Sequence, residues 1–263
     1  MPYSYEIKIK MKIISYNLNG IRAAIKKGLV EFLAENDFDI VGFQELKAMP
    51  AQIPVEVFEA LGYHCHWFSA QKKGYSGVGL LSKVKPDLVE TGCGIPLYDN
   101  EGRIIRADFG DLTVLSCYFP SGSSGEARQA IKIQFLKDIQ VWVDELKKTR
   151  PKLVIMGDYN VAHNELDVYN PDKAKKMSGH LPAEREWMTD WLDSGFTDAF
   201  RYKNPELGEY SWWSYRRSNR SYNRGWRIDY HSVSNNLQDQ IVSCRQLTDV
   251  HQSDHCPVLL ELK

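Results

Sequence analysis

Leu153-Val154-Ile155-Met156-Gly157-Asp158-Tyr159-Asn160 is the stretch on which the reading of this chain turns. Four apolar residues in a row read as a strand buried on both faces, because a strand with one wet face would alternate apolar and polar residues. Side chains on a strand repeat every two residues, so Asp158 and Asn160 leave it on the same side. Gly157 lets another backbone or a ligand come close just before them. A buried strand that delivers a carboxylate and an amide to one place is one way to build a metal or phosphate site. Asp and Asn also favour turns, so this stretch alone supports a strand-end turn equally well. What tips the balance is that the same design recurs along the chain.

Upstream, residues 11–16 (MKIISY) read as a strand ending in Asn17-Leu18-Asn19-Gly20, and residues 39–43 (DIVGF) as one ending in Gln44-Glu45. Residues 77–82 (GVGLLS) form a further strand after Lys72-Lys73-Gly74-Tyr75. Residues 103–109 and 112–117, joined through Gly110-Asp111, read as a hairpin whose second strand ends in Tyr118. Helical spacing of apolar residues marks 23–36, 51–61 and a long helix over 126–148 carrying Ile131, Phe135, Ile139, Trp142 and Leu146. Downstream, a polar loop over 163–181 leads to Pro182, which suits the first position of a helix over 182–193. Residues 210–215 (YSWWSY), 226–234 (WRIDYHSVS) and 256–262 (CPVLLEL) read as strands, the last preceded by Ser253-Asp254-His255. Strands and helices alternate in both halves with no linker between them. The expected architecture is α/β: two mixed sheets packed face to face with helices outside, one domain over 11–263. Residues 1–10 read as an extension outside that core, with Met11 offering a second start.

The chain has 263 residues, 43% of them hydrophobic, which suffices for a large core in one or two domains. Its formal net charge of -1 carries no general basic signal, so any nucleic-acid surface must be a local patch. Five cysteines, an odd number without a C-x-x-C pair, suit buried thiols of a reducing compartment better than a disulfide framework or a zinc site. No apolar run reaches transmembrane length and no secretory signal opens the sequence, so a cytoplasmic protein with no membrane partner is expected.

The residues that close the apolar runs are Asn17 and Asn19, Glu45, Tyr118, Asp158 and Asn160, Asp229, and Asp254 with His255. Each belongs to the chemistry of metals, phosphates or proton transfer, and none is specific by itself. Carboxylates and amides without cysteine suit a hard cation, Mg2+ or Mn2+, better than zinc. Amides and a neutral tyrosine hydrogen-bond phosphate oxygens without adding negative charge. A histidine paired with an aspartate has its tautomer fixed and its charged form stabilised. Together these parts fit metal-assisted attack of water on a phosphate ester.

The segments SYNLNGIRA, FQELKA, KKGYSGVG, EGRIIRADF, CYFPSG, GDYNVAH, LPAERE, WWSY, GWRIDY and SDHCP, taken in order, resemble the exonuclease III family of abasic-site (AP) endonucleases. That family belongs to the endonuclease/exonuclease/phosphatase superfamily, and the likeness spans residues 11–263. It implies a four-layered α/β-sandwich of the DNase I type that cuts the DNA backbone 5′ to an abasic site with Mg2+, or Mn2+, as cofactor. By position, Glu45 corresponds to the principal metal ligand, with Asn17 and Asp254 nearby. Asp158 corresponds to the group that positions or deprotonates the attacking water, and Asn160 to one that orients it and holds a phosphate oxygen. His255, paired with Asp229, corresponds to the group that polarises the phosphate, and Tyr118 to a phosphate or leaving-group contact. Trp212, Trp226 and Ile228 match the pocket for the extruded sugar. Arg22, Lys26, Gly74, Tyr75, Arg103, Tyr215 and Arg216 match DNA contacts. Double-stranded DNA with abasic sites is the implied partner and a monomer the expected state.

This chain departs from the family pattern at Asn19, where some members carry Asp, at Ala174 and Met177, where some carry Asn, and at Arg216, where some carry an apolar wedge. Read without the resemblance, Trp212 and Trp226 are core aromatics, the arginines from Arg216 to Arg224 a solvated loop, and His163 a hydrogen-bonded structural residue. Beside a 3′-end-processing exonuclease or phosphatase with weak AP activity, two other functions compete: a phosphoesterase of the superfamily acting on inositol phosphates, sphingomyelin or RNA tails, and a non-catalytic binder of damaged DNA. The first predicts membrane or secretion features, which the sequence lacks. The second predicts loss of Glu45, Asp158, Asn160 or His255, and all four are present.

Overall fold

The computed structural model describes residues 10–215 and 219–263. Its strands are β1 (Met11–Asn17), β2 (Ile40–Gln44), β3 (His64–Phe68), β4 (Val78–Ser82), β5 (Leu88–Thr91), β6 (Ile104–Phe109), β7 (Leu112–Tyr118), β8 (Lys152–Asp158), β9 (Phe196–Asp198), β10 (Asp229–Ser234), β11 (Ile241–Gln246) and β12 (Val258–Leu262). Its helices are α1 (Ile21–Lys26), α2 (Leu29–Asn36), α3 (Val55–Glu59), α4 (Pro96–Asp99), α5 (Glu126–Thr149), α6 (Pro171–Ala174), α7 (Pro182–Asp193) and α8 (Ala199–Lys203). Among the described residues the strands form two six-stranded sheets, ordered β11-β12-β1-β2-β4-β3 and β5-β6-β7-β8-β10-β9.

The period-two alternation of strand side chains divides the interior into layers. Along β8, Val154 and Met156 face the other sheet, where they meet Ile13, Val78, Leu80 and Leu260. Leu153 and Ile155 point the opposite way, into a core with Phe135 and Ile139 of α5 and with Trp187, Met188 and Trp191 of α7. Ile14 and Tyr16 of β1 pack outward on Leu29, Phe32 and Leu33 of α2. Helices, sheet, sheet and helices therefore make four layers, as expected, and the apolar run at 153–156 is continuous because both faces of β8 are covered.

Several elements differ from the expectation. Helix 23–36 is interrupted at Gly28, whose φ of 89° ends α1 and starts α2. Pro54, which lacks a backbone N–H, separates a short 3-10 turn at Pro50–Gln52 from α3. Residues 210–215 contribute no strand, only bridges from Trp212 to Trp226 and His255, and the strand expected from 226 starts at Asp229. β3, β5, β9 and β11 were not foreseen: β3 and β5 are partly exposed edge strands without clean alternation, and β11 is bulged between Ile241 and Ser243. The five cysteines are unpaired; Cys117, Cys244 and Cys256 are buried as expected, while Cys65 and Cys93 are half-buried. No helix among the described residues is long and apolar enough to cross a membrane.

One buried charge cluster ties the loop after β8 to β10. Asp167 accepts from Arg227 Nε at 2.8 Å and Nη2 at 3.0 Å and from Arg201, and Arg227 also meets Asp198 at 2.8 Å. Burial works to raise the Asp167 pKa, but the Arg227 guanidinium prevails and lowers it to about 2. Its contribution to stability is therefore present above the ordinary carboxylate pKa and is lost as pH falls through about 2. Asp167→Asn leaves Arg227 short of a counter-charge in the interior. It is expected to cost about 3 kcal/mol in urea unfolding at neutral pH, and a loss below about 1 kcal/mol would show that Asp198 alone satisfies Arg227.

Candidate active site

Strand register assembles the site. β7 runs parallel to β8 and sets Tyr118 beside Asp158, while antiparallel β10 sets Asp229 beside Asp158 on the other side. In the other sheet, parallel pairing of β1 and β2 matches Asn17 to Gln44, with Glu45 next in the chain. Gly157 is required by this arrangement: a Cβ there would lie 1.8 Å from the Cys117 carbonyl oxygen. The close approach left open by the sequence is thus to backbone, not to ligand.

Asn17 joins the two sheets, its Nδ2 donating to Glu45 Oε1 and to Asp158 Oδ2, each at 2.9 Å. The Asn160 N–H donates to Asp158 Oδ1 at 2.8 Å, and its amide Nδ2 to the Phe119 carbonyl at 3.0 Å. His255 faces Asp229 Oδ2 through Nδ1 at 2.8 Å and lies 3.9 Å from Asp158 Oδ2 through Nε2. Ser211 Oγ donates to the same Asp229 oxygen at 2.6 Å and accepts from the N–H groups of Ile228 and Asp229. Asn19, Glu45, Lys47 and Asn160 all have φ near +50°. Such backbone costs of order 1 kcal/mol for a residue other than glycine. Backbone bonds hold two of them, Gly20 N–H to the Glu45 carbonyl at 2.8 Å and Lys47 N–H to the Ser76 carbonyl at 2.9 Å, and side chains hold the N–H groups of the others, Asn19 on Asn17 and Asn160 on Asp158.

Burial and charge set the protonation. Burial tends to strip the proton from His255, but the Asp229 carboxylate outweighs it and pushes the pKa up to about 10. Burial and then Asp229 raise Asp158 well above the usual carboxylate range. Burial, helped by Glu45 and Asp158, keeps the Tyr118 phenol protonated. A raised histidine pKa adds stability below about 6.5 that is lost as pH climbs towards 10. In the metal-free protein the His255 imidazole is therefore expected to stay charged at pH 8, checked by its ring 15N shifts. Neutral-ring shifts at that pH would show that Asp229 does not hold the proton.

The remaining expected residues fall into two neighbouring clefts. One, of about 490 Å³, is lined by Glu45, Tyr118, Asp158, Asn160, Gly179, Trp212, Trp226, Ile228, Asp254 and His255. The other, of about 930 Å³, holds Arg22, Lys26 and Gly74 together with Asn19 and Lys47. Arg22, Lys26 and Tyr215 are exposed and Tyr75 half-buried, while Arg216 lies outside the described residues. Arg103 departs from its expected place at the DNA backbone. It is buried, stacks on Tyr118 and donates to Glu101, the Tyr118 carbonyl and the Tyr75 hydroxyl, because these partners use up its guanidinium inside the fold. Asp254 accepts from Asn19 Nδ2 at 3.0 Å and Trp212 Nε1 at 3.1 Å. His163 bonds Thr189 at 2.9 Å, a structural role.

Lys47 was missed in the sequence. Its ammonium bonds Glu45 Oε2 at 2.7 Å and Asn19 Oδ1 at 2.5 Å, and its place two residues after Glu45 was the available signal. Ser211 and Arg128, which donates to Tyr75 at 2.9 Å, left no signal of their own.

Ligand atoms of Glu45, Asp158 and His255 lie within 4.8 Å of one another. The oxygen donors gathered there are the Glu45 and Asp158 carboxylates, with the Asn17 and Asn160 amides beside them and Asp254 lining the same cleft. That oxygen-rich set suits a hard divalent ion.

An acidic cluster, a charged histidine and a carboxylate poised for proton transfer define a hydrolase of phosphate esters. Residues 14–255 match the endonuclease/exonuclease/phosphatase family. The chain is 41% identical to an exodeoxyribonuclease of Bacillus subtilis, covering 95% of this chain and 98% of that one. It is 38% identical to a DNA-(apurinic or apyrimidinic site) endonuclease of Dictyostelium discoideum, over 95% of this chain and 70% of the other. A 3′-5′ exonuclease structure from Neisseria meningitidis superposes with a TM-score of 0.91 at 29% identity, over 96% and 100% of the two chains. The chain belongs to the endonuclease/exonuclease/phosphatase family, a family of metal-dependent nucleases, and within it to the exodeoxyribonuclease III and AP endonuclease group of DNA repair nucleases.

Proposed function

We propose that this protein is a Mg2+-dependent AP endonuclease that cleaves double-stranded DNA 5′ to an abasic site, leaving a 3′-hydroxyl and a 5′-deoxyribose phosphate. It acts as a cytoplasmic monomer, with residues 11–263 as one catalytic domain, and trims 3′ ends as a side activity. The supporting observation is that pocket and chemistry share one backbone. Trp212 and Trp226 exchange two backbone hydrogen bonds of 2.9 Å, and the Trp212 ring lies 6.4 Å from that of His255. An apolar slot beside the reacting phosphate accepts a sugar without its base, whereas an intact nucleotide must be unstacked and is too large.

Glu45 and Asp158 would hold the metal ion, with Asn17 fixing both carboxylates. When bound, the ion supplies Lewis-acid neutralisation of charge on the scissile phosphate. Asp158, once deprotonated, accepts the proton of the attacking water, and Asn160 orients that water. The His255 imidazolium donates its Nε2 N–H as a charged hydrogen bond to a non-bridging phosphate oxygen, its ring kept charged and oriented by Asp229, which Ser211 holds in turn. The Tyr118 phenol, neutral at all working pH values, donates towards the phosphate without repelling it. Arg22, Lys26 and Gly74 line the adjoining cleft for the DNA backbone, where contacts carry affinity but no base reading.

The test is an end-labelled duplex with one tetrahydrofuran abasic mimic, run with Mg2+ and with EDTA beside an undamaged duplex and a 3′-phosphate end. The expected result is a single Mg2+-dependent cut 5′ to the mimic. Release of 3′ phosphate or 3′ nucleotides without that cut would retain the catalytic set and refute the pocket.

A further inference from the structure

The mechanism above makes no use of the LPAERE segment, yet its Glu184 reaches the site. Glu184 sits in the first turn of α7 and is fully buried. Its Oε2 accepts the N–H of Gly179 at 2.6 Å and of Leu181 at 2.9 Å. Its Oε1 meets the Lys132 ammonium at 2.6 Å. Lys132 is also fully buried, in α5, and donates to the Asn160 carbonyl at 2.7 Å. One ion pair thus grips the backbone of Asn160 on one side and the Gly179 loop on the other.

Those two backbones bound the sugar pocket. A Cβ on Gly179, whose φ is +99°, would lie 3.0 Å from the Trp226 ring and 3.1 Å from the Asn160 carbonyl oxygen. Asn160, Gly179 and Trp226 are therefore in contact without slack, and a small movement of the loop alters the width of the slot. A buried ion pair is a weak device for stability, since desolvating both charges offsets most of their attraction. Its attachment at both ends to the pocket wall supplies a positional reason for it.

We propose that Lys132 and Glu184 are positioning residues that set the spacing between Asn160 and the Gly179–Trp226 wall, and so fix the preference for a nucleotide without a base. This rests on the function proposed above. With the wall held, an intact nucleotide is excluded by size. With the wall released, the baseless sugar is held less firmly and the intact nucleotide is excluded less well.

The experiment compares the wild type with the double variant K132M/E184L, which removes both charges at similar volume, and with E184D, which keeps the charge but draws the carboxylate back by one methylene. Each is assayed for melting temperature and for single-turnover cleavage of the tetrahydrofuran duplex and of an undamaged duplex. The double variant leaves the Gly179 and Leu181 N–H groups, Gln129 Nε2 and the Asn160 carbonyl without these partners, so it is expected to melt below the wild type but stay folded, and to cleave the mimic about 30-fold more slowly at saturating enzyme. Its ratio of mimic to undamaged cleavage should fall at least about tenfold, and E184D should shift that ratio in the same direction. A folded double variant with unchanged rate and ratio overturns the proposal. If the double variant does not fold, an E184D protein with wild-type rate and ratio overturns it equally. A wild type that hydrolyses 3′ ends but never cuts at the mimic refutes the function itself, whereas a cutting wild type with indifferent variants refutes only the positioning role.

Discussion

Asp158→Asn is expected to lower single-turnover cleavage of an abasic duplex at least about a thousandfold, the upper part of the range for a positioned proton acceptor, while binding of the same DNA changes by only a few fold. The change is nearly isosteric but inverts the hydrogen bonding. Asp158 now accepts from Asn17 Nδ2, from the Asn160 N–H and from Asn160 Nδ2. An amide at this position has one acceptor for these donors, turns its NH2 against another, and cannot take a proton from water. The change also removes one of the two carboxylates proposed for the metal ion, while the backbone contacts of the adjoining cleft, which carry DNA affinity, are left in place. Gel-shift titration beside single-turnover kinetics separates the two effects. Unchanged turnover would remove Asp158 from the water-activating role.

His255→Ala is expected to cost about a thousandfold or more in rate, because it deletes both a fixed positive charge and a hydrogen bond aimed at the phosphate in a site with little water. The environment makes the loss larger than for an exposed histidine. Asp229 is buried, and without His255 its Oδ2 keeps the Ser211 hydroxyl while Oδ1 already has no partner. The carboxylate then takes up a proton or repels the incoming phosphate. Metal affinity should change little, since the carboxylates of Glu45 and Asp158 remain. A loss below tenfold would mean that another group holds the phosphate, with Asn160 and the Lys47 ammonium the first to test.

Much of this molecule can be read from local pattern. The run 153–156 is apolar because β8 is covered on both faces, and that alone identifies a central strand. The polar residues that close each run lie at one end of the sheets, so Asn17, Glu45, Tyr118, Asp158 and His255 are recognisable as a set before any contact is known. Edge strands such as β3 and β5 were not legible, because a partly exposed strand places no strict demand on alternation. The break at Gly28 and the bridges at Trp212 were likewise hidden, since a glycine inside a helical pattern is often tolerated and an isolated bridge leaves no periodicity.

Roles that depend on a partner are a different matter. Arg103 looks like any cation beside a DNA surface, and only packing shows its guanidinium enclosed by Glu101, Tyr75 and the Tyr118 carbonyl. Lys132 falls on the apolar stripe of a long helix, in line with Phe135, Leu136 and Ile139, and only packing shows its charge met by Glu184 of another helix and by the backbone of Asn160. Layers, the strand ends that carry the chemistry and the residue types gathered there follow from local pattern, because periodicity and chain reversal are set by neighbours a few residues away. Which charges are paired, whether His255 keeps its proton and how wide the pocket is emerge only on folding, because each is set by groups brought together from distant segments and removed from water.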